Sequence, residues 1–242
     1  TTSANLNFYS ANSGTGAFNN NGAIDAGAKT VTVDVGGSIA NNASGSVSAG
    51  SVSLSSNAGS IGSGTAFVTT TGDLSAKVTT GAGNIDLSNT GAVNFTASSN
   101  SGSVTLADTS NITLSGNVAG PAGVTLTTGT GANGTLAIGN NTISANNNTI
   151  TLNADTITAG GTGSINAGTS GTVIVTPTTN NATVTVGTFV PFSNITAATV
   201  QVGNKATFVG DITVGAGLTT AANLNFFSAN SGTGAFNNNG AI

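Results

Sequence analysis

The chain of 242 residues carries three Lys and seven Asp, a net charge of −4, and no Glu, Arg, His, Cys, Met or Trp. Three scattered Lys form no basic cluster able to displace phosphate counterions, so nucleic acid is not an expected partner. Without Cys there is neither a disulfide framework nor a thiolate metal site, and no run nears the roughly 18 apolar residues of a membrane helix.

Charged residues make up 4% of the chain, against about a quarter in ordinary domains, so Thr, Ser, Asn and Gly must carry its solubility. Such a composition invites a reading of disorder. Disordered segments, however, combine low hydrophobicity with high net charge, whereas 37% of these residues are hydrophobic and many are β-branched. No basic stretch followed by an apolar one opens the chain. Lacking Met, it reads as a segment of a longer protein.

Repetition comes first in chain order. Residues 1–24, TTSANLNFYSANSGTGAFNNNGAI, return at 219–242 as TTAANLNFFSANSGTGAFNNNGAI, an offset of 218 that changes only Ser3 to Ala221 and Tyr9 to Phe227. The chain therefore reads as one complete unit, 1–218, followed by the opening of the next, 219–242.

A looser period runs inside the unit. Apolar–polar–apolar triplets start at Leu6, Val31, Val52, Ile85, Val104, Val124, Ile150, Val173 (apolar throughout), Val200 and Leu224, spaced 19 to 33 residues apart. Weaker partners start at Val93, Ile112, Leu136, Val184 and Ile212. Alternation with period two is a strand pattern, and no stretch sustains helical spacing. Gly and Asn-Gly or Asn-Asn pairs between the triplets supply the positive φ angles of tight corners.

Short strands that end in corners every 20 to 30 residues predict an all-β chain, a right-handed parallel β-helix (β-solenoid) of about ten coils per 218-residue unit. Each strand would pair with its equivalent in the next coil about 4.7–4.9 Å away, an axial repeat of about 45–50 Å per unit. A β-sandwich is the rival. Its core commonly includes large aromatics, whereas ten Phe, one Tyr and no Trp suit a narrow core of stacked small aliphatics.

Stretches such as GSVTLADTSNITLSGNVAGPAGVTLTTGTGANGTLAIGNNTI and TITAGGTGSINAGTSGTVIVT resemble the repeat region of filamentous-haemagglutinin-like proteins. The resemblance runs from about Thr30 to Val214 and rests on repeat style. It implies a large bacterial surface protein exported by two-partner secretion, built as a right-handed parallel β-helix and used for adhesion, aggregation or coating. The near-identical copy at an offset of 218 departs from the more degenerate short repeats of that family, and a filament or sheath protein of similar build fits equally well.

Chemistry is sparse. With no His or Cys, nucleophile–base catalysis has no recognisable motif. A glycosidase needs two carboxyl groups about 5–10 Å apart. Asp86 is expected to point outward between Ile85 and Leu87, with Asp34 and Asp108 elsewhere on the coil, all as isolated surface carboxylates. Gly160-Gly161-Thr162-Gly163-Ser164-Ile165 approaches a calcium-binding solenoid repeat but lacks its Asp, so a corner turn is expected there. No catalytic, cofactor-binding or metal-ligating residue is assigned, and no cofactor.

Thr-x-Thr pairs at Thr30/Thr32, Thr149/Thr151, Thr156/Thr158 and Thr183/Thr185 could present hydroxyls to ice, but they are too sparse for a long lattice. Outward Thr is simply favourable on a strand. Asn19–Asn21, Asn140-Asn141 and Asn146–Asn148 are expected at corners, where stacked amides can form ladders. Asn-x-Ser/Thr triplets start at Asn42, Asn94, Asn111, Asn133, Asn140, Asn147, Asn181 and Asn194, allowing glycosylation. Phe189-Val190-Pro191-Phe192 reads as a bulged loop with rings over the core, since Pro cannot donate to a ladder.

The sequence thus points to a structural, non-enzymatic, extracellular repeat at the cell surface. It would form a filament, sheath or adhesin stalk whose partners are neighbouring units, copies of itself and a possible host or cell-surface ligand, with no membrane insertion. An ice-binding or carbohydrate-binding solenoid is the alternative. A continuous solenoid should also resist trypsin, since its backbone is held in the stack. Native chain treated with trypsin is expected to stay uncut at Lys29, Lys77 and Lys205 under conditions that cleave urea-unfolded chain at all three, as read by mass spectrometry.

Overall fold

The computed structural model describes residues 2, 4–11, 15–129, 134–179, 184–186, 192–208, 210–214, 221–228 and 234–238. The chain winds through short strands coil by coil. It opens with β1 (Leu6–Tyr9), β2 (Phe18–Asn20), β3 (Ala23–Asp25), then β4 (Thr30–Val35), β5 (Ile39–Asn41), β6 (Ser46–Ser48). Next come β7 (Ser51–Ser56), β8 (Phe67–Thr70), β9 (Asp73–Val78), β10 (Ile85–Asn89), β11 (Val93–Ser99), β12 (Val104–Asp108), β13 (Ile112–Ala119) and β14 (Val124–Thr127). The later coils hold β15 (Thr135–Gly139), β16 (Thr142–Ser144), β17 (Thr149–Asn153), β18 (Thr156–Ala159), β19 (Ser164–Asn166), β20 (Thr172–Thr176), β21 (Val184–Val186) and β22 (Ile195–Thr196). The last are β23 (Thr199–Gly203), β24 (Ile212–Val214), β25 (Asn223–Phe227) and β26 (Phe236–Asn238).

Every strand pair among the described residues is parallel. Strands adjacent in sequence do not pair; each bonds to its counterpart one coil away. Two walls result. The first stacks β1-β4-β7-β9-β11-β13-β16-β19-β22, with β15 and β18 beside it, and the second stacks β25-β23-β20-β17-β14-β12-β10-β8-β6-β3. A two-stranded sheet, β2-β5, and a three-stranded one, β21-β24-β26, complete the section. The chain is a β-solenoid.

Inside, like residues pile up. Phe18, Ile39, Ile61, Ile85, Val104, Val124, Ile150, Val173, Val200 and Leu224 form one unbroken column linked by strand register. Beside it runs Phe67, Leu87, Leu106, Leu126, Leu152, Val175, Val202 and Phe226. The first wall contributes Phe8, Val33, Leu54, Ala76, Ala97, Val118, Ile143, Ile165 and Ile195. Burying each aliphatic side chain is worth about 1.5–3 kcal/mol, and column stacking removes both of its axial faces from water.

The count of coils differs from the sequence expectation. The column from Phe18 to Leu224 holds ten residues and so nine steps, about nine coils over 206 residues, slightly fewer than ten per 218-residue unit. The ten regular triplets do not share one wall: those at Leu6, Val31 and Val52 belong to the first, and those from Ile85 onward to the second. Their widest gap, Val52 to Ile85, is this change of wall. It arises because the second wall is broken in the early coils. Ile61 and Phe67 occupy the columns that Ile85 and Leu87 occupy in one strand, and the intervening residues bulge outward. Gly62 opens that bulge at φ +74°, where a Cβ would run into the Asp86 carbonyl, so only glycine fits.

Because each coil's stability depends on its neighbours, a core truncation should be felt locally. Leu106→Ala is expected to cost about 2–5 kcal/mol. In amide hydrogen exchange it should lower protection in β10, β12 and β14 more than in β20, which lies two coils beyond β14; uniform loss along the chain would contradict column packing.

Candidate functional site

Outward positions on the two walls are the surfaces this fold offers to a partner. On the second wall, Asp86, Thr105, Thr125, Thr151, Ile174, Gln201 and Asn225 lie in one register. Thr105, Thr125 and Thr151 make a three-coil hydroxyl column, ended by Asp86 on one side and Ile174 on the other. On the first wall Tyr9, Asp34, Ser55, Lys77, Ser98, Ala119, Ser144, Asn166 and Thr196 share a register, a mixed series with no repeated chemistry.

The Thr-x-Thr pairs separate accordingly. Thr30 and Thr32 stand on β4 in the first wall, Thr149 and Thr151 on β17 in the second, Thr156 and Thr158 on β18, and Thr185 on β21. Thr183 lies outside the described residues. The pairs therefore form no common lattice.

The three singled-out carboxylates also separate. Asp86 projects from the second wall, as expected from its place between Ile85 and Leu87. It borders a polar hollow lined by Ser60, Ser63, Asn84, Ser103 and Thr105. Partial burial pushes its carboxyl above the ordinary range. Asp34 lies within β4, not beyond it, because the alternation continues through Val35; it faces out of the first wall. Asp108 corrects the sequence reading outright. It is 1% exposed, an interior carboxylate rather than a surface one.

Asp108 sits at the end of β12 in register with Asn89 of β10, which is in register with Thr69 of β8. The Thr69 hydroxyl donates to Asn89 Oδ1 at 2.9 Å, Asn89 Nδ2 donates to Asp108 Oδ2 at 2.8 Å, and the Ser110 amide donates to Asp108 Oδ1 at 2.6 Å. Asn89 Nδ2 also reaches the Gly91 carbonyl at 2.9 Å. This ladder replaces the aliphatic column where the wall turns its corner. Parity alone could have revealed it: Asn89 and Asp108 each stand four residues after an inward triplet start, Ile85 and Val104. Such buried groups are tolerated because they are bonded.

Serines finish the first wall in the same way. Ser56 Oγ donates to the carbonyls of Gly37 and Gly59 at 2.8 and 2.7 Å, and Ser99 Oγ to that of Gly83 at 2.7 Å. The corner asparagines work differently from the expected amide-on-amide ladder. Asn20 bonds the Ser46 carbonyl, Asn141 that of Leu114, Asn148 that of Pro121 and Asn194 that of Gly163. Each amide clamps the backbone of another coil, since a carbonyl presented at every corner is a nearer acceptor than the next side chain. Asn41 Oδ1 is buried without a hydrogen-bond partner.

Gly160 and Gly161 form the expected corner between β18 and β19, with the Gly163 amide bonded to the Gly160 carbonyl at 3.1 Å. Asn42, Asn94, Asn111, Asn140 and Asn147 are exposed, whereas Asn133 and Asn181 lie outside the described residues. So do Phe189, Val190 and Pro191; Phe192 begins a short 3₁₀ turn through Asn194. Among the described residues no group of three His, Cys, Asp or Glu could hold a metal ion. No helix among them is long and apolar enough to cross a membrane. Compared with known families, curated proteins and solved structures, the chain matches none of them.

Two aspartates give opposite pH dependence. Burial raises the Asp108 carboxyl, with the Asn89 and Ser110 bonds acting against it. The folded state then holds its proton more tightly than the unfolded one. The associated stability is fully present below the ordinary carboxyl value of about 4 and is lost as pH rises through the folded value. For Asp155 burial also raises the carboxyl, but bonds from the Thr179 amide and hydroxyl, the Thr178 hydroxyl and the Gly134 amide outweigh it. Its net lowering contributes stability above about 4 that is lost as pH falls through the folded value.

Thermal melts should separate the two. Asp108→Asn is expected to gain stability relative to the parent as pH rises from 4 to 7, and Asp155→Asn to lose it over the same range. Asn89→Ala, which removes one hydrogen-bond partner each from Thr69 and Asp108, should cost about 1–3 kcal/mol.

Proposed function

We propose that this chain is part of an extracellular structural repeat that builds a surface filament, sheath or adhesin stalk by stacking coil upon coil along one axis. The observation that carries the reading is the boundary between the two copies. β25, which opens the second copy, pairs with β23 in unbroken parallel register, Val200 against Leu224 and Val202 against Phe226. β26 pairs with β24 in the same manner. A tandem unit built this way adds to the stack without a break in either sheet, and lengthening costs only more of the same interface.

Composition supports the outward side of the reading. Walls rich in Thr, Ser and Asn with very few charges give a largely neutral, hydroxyl- and amide-covered surface. The repeat style resembles filamentous-haemagglutinin-like proteins, and we read the chain as a surface protein of that kind in which the stack itself is the working part. Its partners are then the adjoining units and other copies of the fibre.

Antibodies raised against the folded chain test this on the cells that make it. Labelling of intact cells along linear surface material is expected, with loss of label after surface shaving by a broad-specificity protease. Label that appears only after permeabilisation would overturn the proposal.

A further inference from the structure

We infer that successive repeat units are related by half a turn about the solenoid axis, so that each face of a unit is displayed on opposite sides of the fibre in alternate units. The opening strands of the two copies of the 24-residue segment lie on different walls. β1 opens the first wall, pairing with β4, whereas β25, its equivalent, closes the second wall, pairing with β23. Asn7 and Asn225 are the same position of the repeat, both exposed, and they face out of opposite walls.

Residue counts agree. Phe18 and Leu224 share a column nine coils apart. Those coils take 206 residues, about 23 each, and the remaining 12 of the 218-residue offset are the passage from Leu6 on one wall to Phe18 on the other. Twelve residues are half a coil. The unit therefore spans nine and a half coils.

Strand architecture points the same way independently. In the early coils the first wall is a single strand (β4, β7) and the opposite side is split, as β5 and β6. In the later coils the second wall is the single strand (β17, β20) and the opposite side is split, as β18 and β19. The walls exchange roles within one unit, in the middle coils where β10 spans the two columns of Ile61 and Phe67 and where β13 pairs with both β15 and β16. The second copy, which begins with a long strand followed by short ones, then meets the wall that accepts a long strand.

Local packing is reproduced after the half turn. Phe8 and Phe18 pack with ring centroids 5.0 Å apart, and their equivalents Phe226 and Phe236 do so at 5.4 Å, although Phe236 is half exposed. Extended to a tandem array, which rests on the function proposed above, two units of nineteen coils restore the original facing after about 90 Å. Whatever a unit's wall binds, the fibre then binds on both flanks.

The chain has no Cys, so paired cysteines carrying nitroxide labels can test the relation in the full 242-residue protein. Gln201→Cys with Asn225→Cys places labels on adjacent strands of one wall, about 4.8 Å apart. Strong spin–spin broadening is expected, matching a Thr105→Cys, Thr125→Cys reference pair. Thr196→Cys with Asn225→Cys places them on opposite walls, and its spectrum should equal the sum of the two single-label spectra. Coupling of Asn225 with Thr196 instead of Gln201 would overturn the half turn while leaving a stacked array. Absence of coupling in both pairs would overturn the half turn together with the stacking of units.

Discussion

Among the described residues no strand has a hairpin partner, so backbone N–H and C=O groups of the strands find partners in the coils above and below. Unpaired and buried, those groups would cost as much as the bonds they lack. The parallel ladder between coils therefore dictates nearly everything else. It fixes the register, and register places each inward residue over another inward residue, which is why Ile61, Ile85 and Val104 share a column. It also explains how a chain with 4% charged residues holds a defined fold: specificity comes from hydrogen-bond register and stacking rather than from ion pairs.

Corners are where that ladder is hardest to maintain, and the polar residues concentrate there. Ser56 and Ser99 bond glycine carbonyls at the end of the first wall. Thr69, Asn89 and Asp108 bond one another at the end of the second. Corner asparagines reach carbonyls of other coils, so the turns are tied along the axis as well as around it. A polar interior is usually a weakness. Here Thr69, Asn89 and Asp108 are matched from coil to coil as a side-chain ladder, and the corner serines and asparagines bond backbone carbonyls.

A solenoid has no intrinsic end, and its surface chemistry is set by whichever residues the period brings outward. The half-integral number of coils makes the two walls equivalent over a pair of units even though they differ within one. Filaments with such a relation present the same groups to either side, the geometry that suits contacts on both flanks of a fibre.

Fold class was legible in the sequence because period-two triplets, corner glycines and a copy at 218 residues all follow from local chemistry: alternation, positive φ and repetition each leave a mark on consecutive residues. The parity of Asn89 and Asp108 was legible too, though it takes an inward polar residue to be read as inward rather than exposed. What only the tertiary structure decided was which triplets share a wall. Val52 and Ile85 look like members of one series, and Leu6 and Leu224 like identical positions, yet each pair is divided between opposite walls. Sequence records distance along the chain; the wall a strand joins depends on where accumulated corner lengths bring it around the axis, and that sum over many variable turns exists only in the folded coil.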